Sequence, residues 1–345
     1  MLTVIYPKVK IQSGNRFYAE SILGGLTVAG YQFKSVGIRK IEISLFGKPF
    51  GGIASQRIGL AVHRFRDHPI HALVPELSPE GVDIVTIHDI VPFTEKEKFI
   101  RSRYDERAYI HMYGNAIKAK VLIASTNIGK EELINALNID SERIKVIHEA
   151  IDKKRFHYVE SNPYPDDGKV HLVTVGDFNP RKRFDILYNL VSRNREWTLY
   201  HIGPVNSWTS RYRELMKFVS SYENIRILGP RPDEELRAYL SHADLFVYAS
   251  DAEGFGLPPI EALACGTNVV VNDLPVFRET LDDMAFISPM EKIEETITRA
   301  LGTKKDKSTL VEYASRFFLE REIDQLIKLY NEFENEKWEG QQSKS

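Results

Sequence analysis

Residues Asp251 to Gly266 read DAEGFGLPPIEALACG, placing Glu253 and Glu261 either side of a glycine-rich turn that runs into a short helix. Gly254 and Gly256 let the backbone turn sharply and leave room for a ligand to approach it. Pro258 and Pro259 suit the start of a helix, where a missing N–H costs nothing. Gly266 reads as the helix's C-terminal cap. A helix N-terminus preceded by glycine amides, here Gly254, Phe255, Gly256 and Leu257, is suited to phosphate. Glu261 is expected in the first helical turn, where the dipole favours a carboxylate and vicinal hydroxyls can donate to it. Phosphate and diol side by side describe a nucleotide carrying a sugar. The plainer alternative is a strand–turn–helix crossover with two solvated glutamates. Two glutamates, two glycines and two prolines in this order favour a site.

At 345 residues, 43% hydrophobic and 27% charged, the chain has room for two ordinary globular domains. Its one cysteine, Cys265, excludes a disulfide framework and a cysteine metal cluster. A reducing, cytoplasmic setting follows, with Cys265 as a small packing residue. No stretch approaches the roughly 20 apolar residues that span a bilayer. MLTVIYPKVK is too short and too soon charged for a signal peptide. The net charge of −2 argues against a general nucleic-acid binder. Residues 1–155 nevertheless carry about 23 basic and 17 acidic side chains, leaving the remainder acidic by about eight. That basic excess is either simply solvated or suits an anionic acceptor or peripheral contact with a membrane surface.

Working outward from Asp251, strand-like runs alternate with helical patterns, which predicts α/β layers with parallel sheets. LTVIYP (2–7), VDIVTIHDI (82–90), VLIAST (121–126) and IKVIHEAID (144–152) are strands of a first series. RFYAESILGGLTVAG (16–30), a charged run over 97–119 and KEELINALN (130–138) are its helices. The polar segment ESNPYPDDGK (160–169) breaks the rhythm and reads as a linker. A second series follows, from VHLVTVGDF (170–178) through LFVYAS (245–250) to NVVV (268–271). The domains expected are therefore 1–160 and 161–315, with terminal helices over 316–345 returning toward the first and a disordered tail.

Other candidates surround this pattern. Arg181 and Lys182 follow a proline turn after Gly176, and two cations at a strand's mouth can neutralise a diphosphate leaving group without a metal. His88 and Asp89 close a strand in TIHDIVPF, where a histidine either hydrogen-bonds a ligand or is structural, and Asp89 orients it or caps a turn. Ser13, Gly14, Asn15 and Arg16 lie between the first strand and helix, with Gly14 a candidate backbone contact. Gly24 and Gly25 suit close helix packing. Asp273 and Glu279 follow the main motif as ligand contacts or helix-start carboxylates, and Ser125 and Thr126 suit a helix cap.

The motif from Glu253 to Glu261 around GFGLP, continuing through ALACGTNVVVNDLPVFRET, resembles the signature of the retaining family 4 glycosyltransferases of the GT-B fold. The resemblance implies two Rossmann-like domains with parallel sheets facing across a cleft, acceptor bound by the first and nucleotide-sugar donor by the second. It implies transfer of a sugar from a UDP-, GDP- or ADP-linked donor to a hydroxyl of a glycan, lipid or small molecule, with no essential metal and no other cofactor. By this likeness Lys182, helped by Arg181, takes the diphosphate, and Glu261 the ribose. Glu253 and the amides of Phe255, Gly256 and Leu257 hold the sugar, and His88 reaches it from the first domain. Asp177 stands where many relatives have an arginine, Asn15 replaces the second glycine of a pair, and Asn268 replaces a proline. A nucleotide-sugar epimerase, a glycan phosphorylase and a non-catalytic binding relative share the same architecture. For the phosphorylase no convincing pyridoxal lysine stands out.

Overall fold

The computed structural model describes residues 1–8, 14–39, 43–45, 48–50, 68–90, 113–204 and 210–342. The chain forms two compact units: Met1–Glu149 with Leu319–Ser345, and Ala150–Phe318.

In the first unit, β1 (Leu2–Lys8), β2 (Phe33–Arg39), β5 (Ile70–Ala72), β6 (Ile84–Ile87), β7 (Val121–Ala124) and β8 (Ile144–Val146) make a parallel sheet ordered β2-β1-β5-β6-β7-β8. A separate antiparallel hairpin joins β3 (Ile43–Leu45) to β4 (Lys48–Phe50). The apolar strand runs are continuous because both faces of a parallel sheet are covered. Val4 thus faces a cluster with Ile22, Leu26 and Ile323, while Ile5 faces Val36, Val85 and Leu122. The Gly14–Val28 helix ends on Gly30 at φ +70°, with Tyr31 N donating to Leu26 O (3.0 Å) and Gly30 N to Thr27 O (3.1 Å). These bonds form a Schellman cap. Of its adjacent glycines Gly24 and Gly25 only Gly25 is a close approach: a Cβ there would lie 2.5 Å from Ile323, whereas Gly24 has open space.

That contact belongs to the 24-residue helix Leu319–Gln342, whose Ile323, Leu326, Leu329, Tyr330 and Phe333 are buried in the first unit. The Tyr330 hydroxyl meets His71 Nδ1 at 2.7 Å, and Thr86 Oγ1 meets the other ring nitrogen at 2.9 Å. Burial pushes His71 down to about 3, so this core imidazole is neutral. The charged helix expected over 97–119 lies mostly outside the described residues, as does Ser13.

In the second unit, β9 (Val170–Val175), β10 (Trp197–Ile202), β11 (Ile225–Gly229), β12 (Leu245–Tyr248), β13 (Val269–Asn272) and β14 (Ala285–Ser288) form a parallel sheet ordered β11-β10-β9-β12-β13-β14. The order reverses between β9 and β12. Such a topological switch point opens a crevice at the carboxyl ends of the two strands.

The boundary between units falls before the segment 160–169 and not within it. Residues 150–159 are tied to the second unit: Arg155 forms a two-bond pair with Asp233 (2.8 and 2.9 Å), and Val159 N donates to Ser241 Oγ (3.1 Å). Ile151 N donates to Phe317 O at 2.9 Å. The polar segment is itself held down, since Tyr164 is buried, stacks on His171 and donates to Tyr239 O (2.8 Å). Among the described residues no helix is long and apolar enough to cross a membrane.

Candidate functional site

The loops that follow β9 and β12 meet at the switch point of the second unit. After β9 the chain turns at Gly176, and Asn179 Oδ1 accepts from Arg181 N (3.2 Å) to start the 3-10 turn Pro180–Lys182. After β12 comes Ser250 to Glu253. The loops are laced together: Asp251 N donates to Arg181 O (2.7 Å), and Arg183 pairs with Asp251 (3.0 Å). This lacing brings Lys182 and Arg181 onto one carboxylate. Lys182 Nζ is 2.7 Å from Glu253 Oε1, and Arg181 Nη1 is 3.0 Å from Glu253 Oε2. Burial would raise the Glu253 pKa, but the two cations hold it below the usual carboxylate range. Burial lowers that of Lys182, against the pull of Glu253.

Two partners in this cluster had no sequence signal. Tyr248, the last residue of β12, accepts a hydrogen bond from Lys182 Nζ, and its ring centroid lies 4.8 Å from that nitrogen. Ser250, whose hydroxyl contacts Arg181 O (3.2 Å) and Ala252 O (3.1 Å), also helps lower the Glu253 pKa. Only a fold that sets β9 beside β12 places residues 66 to 72 positions apart in contact.

The glycine turn is built as a fixed corner. Gly256 is the N-cap of the Leu257–Ala264 helix at φ +91°, and a Cβ there would sit 2.5 Å from the Phe277 ring. The Phe255 side chain is core, edge-on to Phe317, so only its backbone bears on a ligand. Pro258 and Pro259 lack N–H groups, which leaves Leu257 as the amide of the opening positions. Gly266 at φ +78° completes a Schellman cap, Thr267 N donating to Ala262 O and Gly266 N to Leu263 O.

Glu261 requires a correction. The helix begins at Leu257, so Glu261 is its fifth residue and lies in the second turn, not the first. Side chains on a helix lean toward its N-terminus, which still carries this carboxylate toward the opening. The dipole does not win here: burial pushes Glu261 up to about 7, opposed by Arg155. Arg155 and its partner Asp233 are a further pair absent from the sequence reading.

Gly14 opens the first helix of the first unit with open space about its Cα. His88 follows β6, and both ring nitrogens are engaged: Nδ1 with Glu149 Oε1 (2.8 Å) and Nε2 with Leu73 O (2.9 Å). Tyr18 stands edge-on at 4.6 Å. Burial alone would depress this imidazole, but Glu149 and the Leu73 carbonyl push it up to about 9. It is therefore an imidazolium at neutral pH. Ser125 Oγ donates to His88 O (3.1 Å), and Thr126 Oγ1 caps the next helix by accepting from Gly129 N (2.9 Å). Asp89 O accepts from Tyr113.

Asp273 and Asn268 are structural in their contacts. Asp273 forms two 2.6 Å bonds with Arg278. Asn268 donates to Lys305 O and accepts from Lys305 N, tying down a loop. Asp177 is half-buried, within electrostatic range of Lys182, and Glu279 is half-buried on the following helix. Cys265 is buried and its thiol pushed up to about 12, as a packing residue would be.

A family model for glycosyl transferases group 1 matches residues 160–317, almost the whole second unit. The second unit is thus similar to the glycosyl transferases of group 1. Over 224 residues the chain is 31% identical to the O-antigen chain mannosyltransferase RfbU of Salmonella typhimurium, covering 64% of this chain and 59% of that protein. The chain thus spans about three fifths of the length of this relative. Among solved structures, sucrose-phosphate synthase from Thermosynechococcus elongatus superposes with a TM-score of 0.79 over 96% of this chain and 98% of its own, at 18% identity. Anabaena HepE, crystallised with UDP and glucose, does so with a TM-score of 0.71 over 96% and 100%, at 16% identity. At such identities these likenesses establish the fold, which is the GT-B type. The matched residues include Glu253, Glu261, Arg181 and Lys182.

Proposed function

We propose that the protein moves a glycosyl group from a nucleoside-diphosphate sugar to a hydroxyl acceptor, with retention of anomeric configuration. The observation that carries this reading is the convergence of Lys182, Arg181 and Glu253 where the strand order reverses. An ammonium and a guanidinium fixed at the carboxyl ends of β9 and β12 supply positive charge where a diphosphate would leave. Glu261 accepts from the ribose hydroxyls, and Glu253 with the amides of Phe255, Gly256 and Leu257 borders the sugar. The cations perform the work a divalent ion does elsewhere, so the reaction is metal-independent.

Departure of the diphosphate builds positive charge on the sugar, which the leaving phosphate stabilises while it takes the acceptor's proton. Glu253, already bonded by Lys182 and Arg181, is poorly suited to act as a nucleophile. This supports retention without a covalent intermediate. His88 is the first unit's candidate catalytic residue, contributing positive charge, since both of its N–H groups are held by Glu149 and the Leu73 carbonyl. The acceptor is a glycan, lipid or small molecule offering a hydroxyl, and the likeness to a mannosyltransferase makes a mannosyl donor the first to try.

A thermal-shift panel of UDP, GDP and ADP, followed by their sugars, tests the donor site. One nucleotide is expected to raise the melting temperature, and stabilisation by none would sink the reading. With the matching sugar nucleotide, Lys182→Ala should lower turnover about 100-fold, the scale of losing one preorganised charge in a transition state. Wild-type turnover should survive EDTA. Consumption of donor with no acceptor and no hydrolysis would point instead to an epimerase.

A further inference from the structure

We propose that Tyr248 is a positioning residue that holds the Lys182 ammonium in place for a nucleoside diphosphate. This rests on the assignment of Lys182 to the diphosphate. Tyr248 is fully buried at the end of β12, with its ring centroid 6.2 Å from that of Phe277, edge-on. Phe277 in turn fills the space beside Gly256, where a Cβ would come within 2.5 Å of its ring. The tyrosine ring is therefore wedged between the sheet and the glycine corner and cannot follow the lysine.

An ammonium has three N–H donors. Among the described residues Lys182 directs one to the Tyr248 hydroxyl and one to Glu253 Oε1, which leaves the third for a ligand oxygen. The Tyr248 hydroxyl also lies within electrostatic range of the Glu253 carboxylate. Lys182 thus bridges Tyr248 and Glu253, held by a hydrogen bond on each side. A flexible four-carbon stem beside a carboxylate would otherwise be free to collapse onto both oxygens of Glu253. The hydroxyl is a second, immovable anchor that keeps the ammonium between the carboxylate and the strand mouth.

The test is a double-mutant cycle on the full chain, read by calorimetric titration with whichever of UDP, GDP and ADP stabilises the wild type. Tyr248→Phe keeps the ring and removes one oxygen. It should weaken the diphosphate about tenfold, the worth of a hydrogen bond to a charged group. Affinity for the matching nucleoside monophosphate should change much less. In the Lys182→Ala background Tyr248→Phe should have no further effect, because the tyrosine acts through the lysine. Wild-type affinity in Tyr248→Phe, or an undiminished loss in the double variant, would overturn the proposal while leaving the diphosphate assignment standing. If Lys182→Ala binds like wild type, the assignment itself fails and this inference with it. A melting curve of each ligand-free variant completes the test: failure of Tyr248→Phe to fold would show the hydroxyl to be purely structural and would also overturn the proposal.

Discussion

At neutral pH the half-buried carboxyl of Glu261 sits near its midpoint, pushed up to about 7 by burial against the pull of Arg155. Ribose hydroxyls donate best to the ionised form, so nucleotide affinity should rise with pH through this region. Between pH 6 and pH 8 the ionised fraction grows about tenfold, and affinity should follow. The sign for folding is opposite. A carboxyl whose folded pKa lies above its unfolded one contributes most below about pH 4.5, and the contribution is lost as pH rises through 7. Titration of Glu261→Gln across the same range isolates the effect from phosphate ionisation. Its profile should lose the tenfold rise, and an unchanged slope would rule out Glu261 as the ribose contact. Both glutamates of the motif could be read from the sequence, but their environments could not. Glu253 and Glu261 have the same side chain, yet one is held low by two cations and the other raised by burial. Similarly, His88 stood out at a strand end, whereas its partner Glu149 lies 61 positions away.

Among the elements, caps were legible and offsets were not. Gly30 and Gly266 both end helices in the left-handed conformation that only glycine takes freely, so the residue type announces the geometry. The start of the Leu257–Ala264 helix was misjudged because Gly256 is its N-cap at φ +91°, which moves Glu261 to the fifth position. Gly203 gave no signal at all. It follows β10 at φ +155°, and a Cβ on it would lie 2.0 Å from Gly176 O, at the start of the loop that carries Lys182. His201 Nε2 holds the same carbonyl at 2.8 Å. Gly203→Ala should therefore cost about 3 kcal/mol from the forced backbone shift. Because the shift falls on Gly176, nucleotide protection should fall along with the ligand-free melting temperature. Full protection in a protein that melts earlier would show that the loop does not depend on this contact.

For the whole molecule, the last helix is part of the first unit although it follows the second in sequence. Its buried Ile323, Leu326, Leu329, Tyr330 and Phe333 are worth roughly 1.5–3 kcal/mol each, which together rivals the entire stability of a domain. Deleting residues 319–345 should leave residues 1–149 open to limited proteolysis while 150–318 stays resistant. Equal resistance of both units would contradict that division. The sequence by itself determined the alternation of strand and helix, the glycine corner and its glutamates, and the kinship of the second unit, because these rest on short-range periodicity and local backbone rules. Only the tertiary structure decided which groups neutralise one another: Lys182 and Arg181 on Glu253, Tyr248 on Lys182, Arg155 on Asp233, Glu149 on His88. The physical reason is that charge and burial act over a few ångströms of space. Strand order, which no local pattern encodes, sets which distant residues share those ångströms.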